Sequence, residues 1–267
     1  MSTYVSLSYF DLILASGFLF INGGLSLWLN LGLERKLAIA AVRMVVQLML
    51  VGLLLKTLFA IVSPTLTALV ALAMILLAGR EIWARQERRL AGIWGYSLGT
   101  GAMMFAGVTT TLIALGTQIQ PEPWWTPRFA LPLFGMVLGN SMTGIALALD
   151  TLSVNFQRDR IAIEAQLLLG QPRFEATRPF MRRALTTGFM PIINSMAATG
   201  IVSLPGMMTG QILSGVDPTE AVKYQLLIMF LIGGATGLGV FLAVFGTAYR
   251  LTDERHRLRL DRLSAVK

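Results

Sequence analysis

The chain is a succession of apolar runs, each near the ~20 residues that carry an α-helix across the hydrocarbon core of a bilayer. In hydrocarbon a backbone must satisfy its own hydrogen bonds, and a helix does so within one segment. Seven runs are read in order, at about 7–29, 37–62, a third from the Ser63-Pro64 break to 78, then 93–116, 129–149, 184–204 and 222–249. The expected fold is therefore all-α, a polytopic transmembrane bundle of about seven spans forming one domain, 1–267. Between the runs lie Glu34-Arg35-Lys36, a charged loop at 80–90, and the stretch QIQPEPWWTPR, where Trp124 and Trp125 suit interface anchors.

Composition agrees. At 55% hydrophobic and 13% charged residues, a soluble globular domain is excluded. A net charge of +8 would suggest nucleic acid in a soluble chain, but here the arginines sit between the runs, so topology accounts for them and no nucleic-acid partner is expected. With the N-terminus outside, eighteen Lys and Arg fall on the cytoplasmic side against three outside, namely Lys56, Arg128 and Lys223. The expected orientation is N-out, C-in. The first run is too long for a signal-peptide core and lacks a basic segment before it, so no cleavable signal is expected. The absence of cysteine removes disulfides, thiolate metal sites and cysteine nucleophiles together.

The one long hydrophilic stretch, 150–183, carries six of the arginines. Helical spacing from 159 to 169 places Ile161, Ala165 and Leu168 on one face, with Asp159, Glu164 and Gln166 away from it. Gly170 suits the stop of that helix and Pro172 the start of another short one. Two readings stand: a docking element for a soluble partner, or a solvated connector.

Polar residues within the runs are few. Arg43 and Gln47 share a helix face near the cytoplasmic end of the second run, either as a functional site or with Arg43 snorkelling to the interface. Asn140, Asn22 and Asn194 can bond between helices, and Gly135/Gly139, Gly95/Gly99 and Gly233/Gly237 permit close approach. Asp11 stands near the outer end of the first run. His256, the only histidine, reads as a solvated residue of a basic tail. No phosphate-binding G-x-x-x-x-G-K-[ST] loop occurs, and no nucleophile stands with a histidine base, so a catalytic role has little support.

Residues 201–225 are the densest stretch. Pro205-Gly206 reads as the end of the sixth helix, with Met207 and Met208 at an unwound break and Gly210 and Gly215 loosening it further. Asp217 then caps a new helix with Pro218 at its first position. The segment 203–218 is either an outer loop or a re-entrant dip. An unwound segment at membrane depth would suit a gate, with Asn140 offering an amide from a neighbouring span.

Taken together, VSLPGMMTGQILSGVDPTEAVKYQ, Leu138-Gly139-Asn140-Ser141-Met142, Arg43-x-x-x-Gln47-Leu48 and Glu164-Ala165 through Gly170 resemble the permease subunit of Fet-type bacterial ABC transporters. The resemblance spans almost the whole chain. That family comprises probable iron exporters, with plant relatives linked to aluminium tolerance. It implies a bacterial inner-membrane permease, not an enzyme, that pairs with a second copy of itself and with a separate ATPase subunit. ATP and Mg would be bound by that subunit, and no cofactor by this chain. Glu164, Ala165, Gly170 and Glu175 would then couple to the ATPase, and Asn140, Pro205, Gly206, Met207, Met208, Gly210 and Asp217 would contribute to pathway or gate. Glu164, Ala165 and Gly170 also resemble the EAA loop of importer permeases, although the proline expected downstream is displaced to Pro191. An importer permease and an ATP-independent carrier remain the alternatives. The available ligands (carboxylate, amide, thioether) neither demand nor exclude iron.

Overall fold

The computed structural model describes residues 8–264; the expected start of the first span at residue 7 and Lys267 lie outside them. The helices, in order, are α1 (Tyr9–Trp28), α2 (Glu34–Ile61), α3 (Pro64–Arg85), α4 (Trp94–Ala114), α5 (Pro127–Arg158), α6 (Arg160–Leu168), α7 (Arg173–Ala198), α8 (Gly206–Leu213) and α9 (Pro218–Leu251). A π-helical turn, Leu115–Ile119, prolongs α4.

Local chemistry sets many of the boundaries. Proline stands in the first turn of α3, α5 and α9, where its missing N–H costs nothing. Ser8 and Asp11 form a reciprocal capping box on α1, with the Ser8 N–H donating to Asp11 Oδ2 at 2.8 Å. Asp11 is thereby part of a helix cap. Asp217 caps α9 as expected, accepting the Thr219 N–H at 2.8 Å. Those hydrogen bonds, with the Thr219 hydroxyl first, hold the Asp217 carboxyl below its usual range.

Six helices among the described residues are long and apolar enough to cross a membrane: α1, α2, α3, α4 with its π turn, α5 and α9. The expected sixth span does not meet that standard as read. It belongs to α7, which begins at Arg173 and carries Arg173, Arg178, Arg182 and Arg183 before its apolar part starts at Ala184. From there to Ala198 the helix rises about 22 Å, short of the roughly 30 Å hydrocarbon core. It ends at Ala198, well before Pro205. The anticipated second short helix after Pro172 is thus the first part of α7, continuous with the segment inside the bundle.

α3, α4, α5, α7 and α9 surround the core, and α1 and α2 form a hairpin at its side. One cluster joins Met103, Ile145, Leu152, Phe156, Val240 and Val244. A second, toward the other end, joins Leu115, Leu133, Val137, Ile192, Ile228 and Ile232. On α2 the buried residue is Leu58. The exposed leucines, valines and methionines of this hairpin are what a helix presents to lipid.

α5 and α7 approach each other backbone to backbone. A methyl group placed on Gly144 would stand 2.7 Å from the Gly188 carbonyl oxygen, and one on Gly188 would stand 2.9 Å from that of Gly144. Neither glycine belongs to the three spaced pairs singled out in the sequence. Of those, Gly95 and Gly99 are close-packed against Leu90 and Ile82, whereas Gly139 has open space around it. A matched pair on one helix therefore tests the contact. Gly144→Ala should lower stability by about 1–3 kcal/mol, read as a fall in the thermal unfolding midpoint in detergent, while Gly139→Ala should leave the midpoint nearly unchanged. Equal effects would refute the close-contact reading.

Candidate coupling and transport elements

α6 connects the core to the surface at one end of the bundle. Asp159 separates it from α5, and Arg160 pairs with Glu164 one turn on at 2.9 Å. Gly170 stops it at φ +88, donating its N–H to the Leu167 carbonyl at 3.0 Å. That is the left-handed geometry expected of a glycine at this position. Glu175 lies exposed in the first turn of α7, where a carboxylate suits the positive end of the helix dipole.

α6 packs inward through a different face from the one that Ile161, Ala165 and Leu168 share. Ile163 is fully buried and Leu167 packs against the same core cluster. Ile161 and Leu168, placed on one face with Ala165 by helical spacing, are 83% and 88% exposed, and neighbouring Leu169 is 84% exposed. Both stripes are apolar, so periodicity alone could not choose between them. The chain satisfies one stripe and leaves the other bare.

The surroundings of α6 are built from distant segments. Asp150 of α5 accepts the Glu87 N–H at 2.8 Å, tying the loop after α3 to α5. The tail returns to that loop: Ala91 N–H donates to Arg262 O at 2.7 Å and Ser264 N–H to Arg89 O at 2.8 Å. Leu258, Leu260 and Leu263 pack against the core. His256 is exposed, as expected, and also takes part in the fold: its Nδ1 accepts the Arg173 N–H at 3.1 Å at the start of α7. Within the tail, paired hydrogen bonds from the Arg259 guanidinium bring the Asp261 carboxyl down to about 2.

Arg43 has a partner that sequence reading missed. It forms an ion pair with Glu81, which lies in α3 because that helix continues to Arg85, past the expected stop at 78. The signal was present, as Glu81 is the carboxylate nearest the end of the third run. Gln47, one turn along α2, is exposed.

The residues expected at the gate are only partly gathered. α8 packs on α9, and Pro205 is its N-cap, so Gly206, Met207, Met208 and Gly210 are helical and not unwound. The 203–218 segment is thus a loop followed by a short helix lying against the bundle. Met207 packs against the second core cluster and Met208 is half-buried. Gly206 has open space at its Cβ position, so a side chain there meets no steric bar. Asn140 is not turned into the bundle: it is exposed on α5, donating to Met136 O of its own helix at 2.8 Å. Asn194 is likewise exposed on α7. Among the described residues, no group of three or more His, Asp or Glu is placed to hold a metal ion.

Because Arg43 and Glu81 join the hairpin to α3, their coupling is measurable. A double-mutant cycle with Arg43→Gln and Glu81→Gln, followed by equilibrium unfolding in mixed micelles, should give an interaction of about 0.5–2 kcal/mol. Additive single effects would show that the pair contributes nothing.

Comparison with known proteins agrees with the family resemblance. A membrane protein of Synechocystis sp. bearing the UPF0014 name is 35% identical over 233 residues, covering 86% of this chain and 88% of its own. The probable iron export permease protein FetB of Escherichia coli is 29% identical over 236 residues, 88% of each chain. The ALUMINUM SENSITIVE 3 protein of Arabidopsis thaliana is 31% identical over 208 residues, 78% of this chain and 74% of its own. No solved structure matches the chain. The model of a family described as Uncharacterised protein family (UPF0014) matches residues 9–252, and this chain is a member of that family of membrane proteins.

Proposed function

We propose that this protein is the membrane-spanning permease of an ATP-driven exporter in the bacterial inner membrane. In this reading the N-terminus is outside, and α6 and the tail are cytoplasmic. A separate ATPase subunit docks on α6, and two copies of the permease enclose the pathway. The cargo is iron or another metal ion or complex, by analogy with the name carried by the Escherichia coli relative.

One observation carries the proposal: the bare apolar stripe of Ile161, Leu168 and Leu169 on an amphipathic helix otherwise anchored by Ile163. An apolar face in water is costly to leave exposed and suits a partner groove that takes a helix. The Arg160–Glu164 pair borders it with charge that a partner can read. α6 also lies between α5 and α7, the two helices that meet at Gly144 and Gly188. A push on α6 therefore reaches two backbones in contact. ATP binding and release on the partner would rock that pair and alternate access to the pathway. A second copy is supported by Asn140 and Asn194, whose amides face away from the single chain, where in lipid a polar group needs a partner.

The test uses Ile161→Asp together with Leu168→Asp, which alter only exposed positions. The variant should keep its thermal midpoint, lose co-purification with the ATPase subunit, and fall at least tenfold in the ATP hydrolysis it stimulates. Parental co-purification and hydrolysis would refute docking at this face.

A further inference from the structure

At the α6 end of the bundle, the tail and the start of α7 enclose an arginine-rich pocket that the transport reading does not use. Its walls come from Arg173, Tyr249, Arg250 and Thr252 together with Asp253, Glu254, Arg255, Arg257 and Arg262, around a cavity of about 360 Å³. Five guanidinium groups thus stand against two carboxylates. Asp253 is already engaged by Arg257 at 2.8 Å, which leaves four guanidinium groups against Glu254. Arg173, Arg250 and Arg255 form no ion pair among the described residues.

Two of these arginines are held in place by aromatic rings. The Arg173 guanidinium carbon lies 4.7 Å from the centroid of Tyr249, and that of Arg250 lies 4.7 Å from the centroid of Trp94. Stacking on a ring fixes the plane of a guanidinium and leaves its N–H edge free for an anion. Arg262 donates to the Arg250 carbonyl at 2.7 Å, bringing its charge in from the tail. A planar fork of this kind matches phosphate oxygens two at a time.

The rim indicates which phosphate. Tyr249 lines the pocket, Phe174 and Trp94 lie against its Arg173 and Arg250, and these three rings are exposed, as is Ile93 next to Trp94 in the chain. Aromatic and aliphatic side chains bordering arginines at the end of membrane-crossing helices mark the level where acyl chains meet headgroups. A soluble phosphate compound would gain nothing from that border, whereas a phospholipid uses both parts.

We propose that this pocket binds the phosphate of an anionic phospholipid headgroup, with Arg173, Arg250 and Arg255 as its principal donors and Tyr249 and Trp94 beside the acyl chains. Basic pockets between helix ends are a recurrent way for membrane proteins to hold such lipids. The choice of the inner leaflet rests on the sidedness proposed above; the site does not. A lipid bound there would brace the tail against the start of α7, next to the His256–Arg173 contact.

Native mass spectrometry of the purified full-length protein tests this, with phosphatidylglycerol and phosphatidylcholine supplied in equal amounts and inorganic phosphate in a separate arm. The parent should retain phosphatidylglycerol in preference to phosphatidylcholine. Each arginine removed should weaken that retention about fivefold, the equivalent of ~1 kcal/mol per basic residue near an anionic headgroup. Arg255→Gln alters an exposed side chain and reads the effect without touching the fold; Arg173→Gln/Arg255→Gln should give about the square of it. Equal retention of the two lipids by the parent, or unchanged selectivity in both variants, would overturn the proposal. Retention of inorganic phosphate without lipid selectivity, lost in the same variants, would reassign the pocket to a soluble phosphate compound and overturn the lipid source. Variants that lose the ATPase subunit while keeping their lipid would mark these arginines as a protein contact, which also overturns it.

Discussion

The contact between the backbones of α5 and α7 at Gly144 and Gly188 is the constraint on which the rest of the structure depends. With no side chain on either residue, each helix approaches the other's carbonyl, and Thr236 and Val240 of α9 close over the crossing. Close approach of this kind replaces the hydrophobic driving force that helices lack in lipid, because van der Waals contact between backbones is what remains. It also lets α7 serve inside the bundle although its first part is rich in arginine. The apolar half lies against α5 and α9, while the arginines stay at the end where α6 and the tail gather.

That end is assembled from four separated parts of the chain. The loop after α3, the C-terminal part of α5, the start of α7 and the tail are tied by backbone hydrogen bonds, by the Asp150 carboxylate and by the His256 ring. Leucines of the tail complete the packing. The arrangement is therefore a fixed platform, from which α6 projects with one stripe held and one stripe free. A docking partner that moved α6 would act on a braced structure, and little of the displacement would be lost in loops.

Much of this was legible in the sequence where a single residue decides a local outcome. The capping roles of Asp217, Pro218 and Gly170 follow from side-chain chemistry and backbone sterics, and the structure has them as expected. The family was legible because its longest matching block runs through residues of specific chemistry, and the match covers 9–252. What could not be read is the choice among neighbours. Ile161 and Ile163 are equally apolar, and only the tertiary fold decides which one is buried. Glu81 hid beyond an apparent helix end, and the tail leucines hid among arginines. Pro205-Gly206 carries the mark of a break, yet proline is well suited to the position before a helix, and α8 begins there. The glycines that set this backbone contact lie on different helices, so no spacing within either helix announces them.

In the proposed function the open stripe of α6 faces the cytoplasm and meets an ATPase. The chain has no cysteine, so Leu168→Cys places one unique handle on that stripe. Intact cells would be treated first with a membrane-impermeant thiol reagent and then, in parallel, with a permeant bifunctional cross-linker. The expected result is no labelling from outside, and a cross-linked adduct with a soluble ATP-binding subunit whose yield changes when ATP is depleted. Labelling from outside, or adducts formed only between permease copies whatever the ATP level, would contradict it.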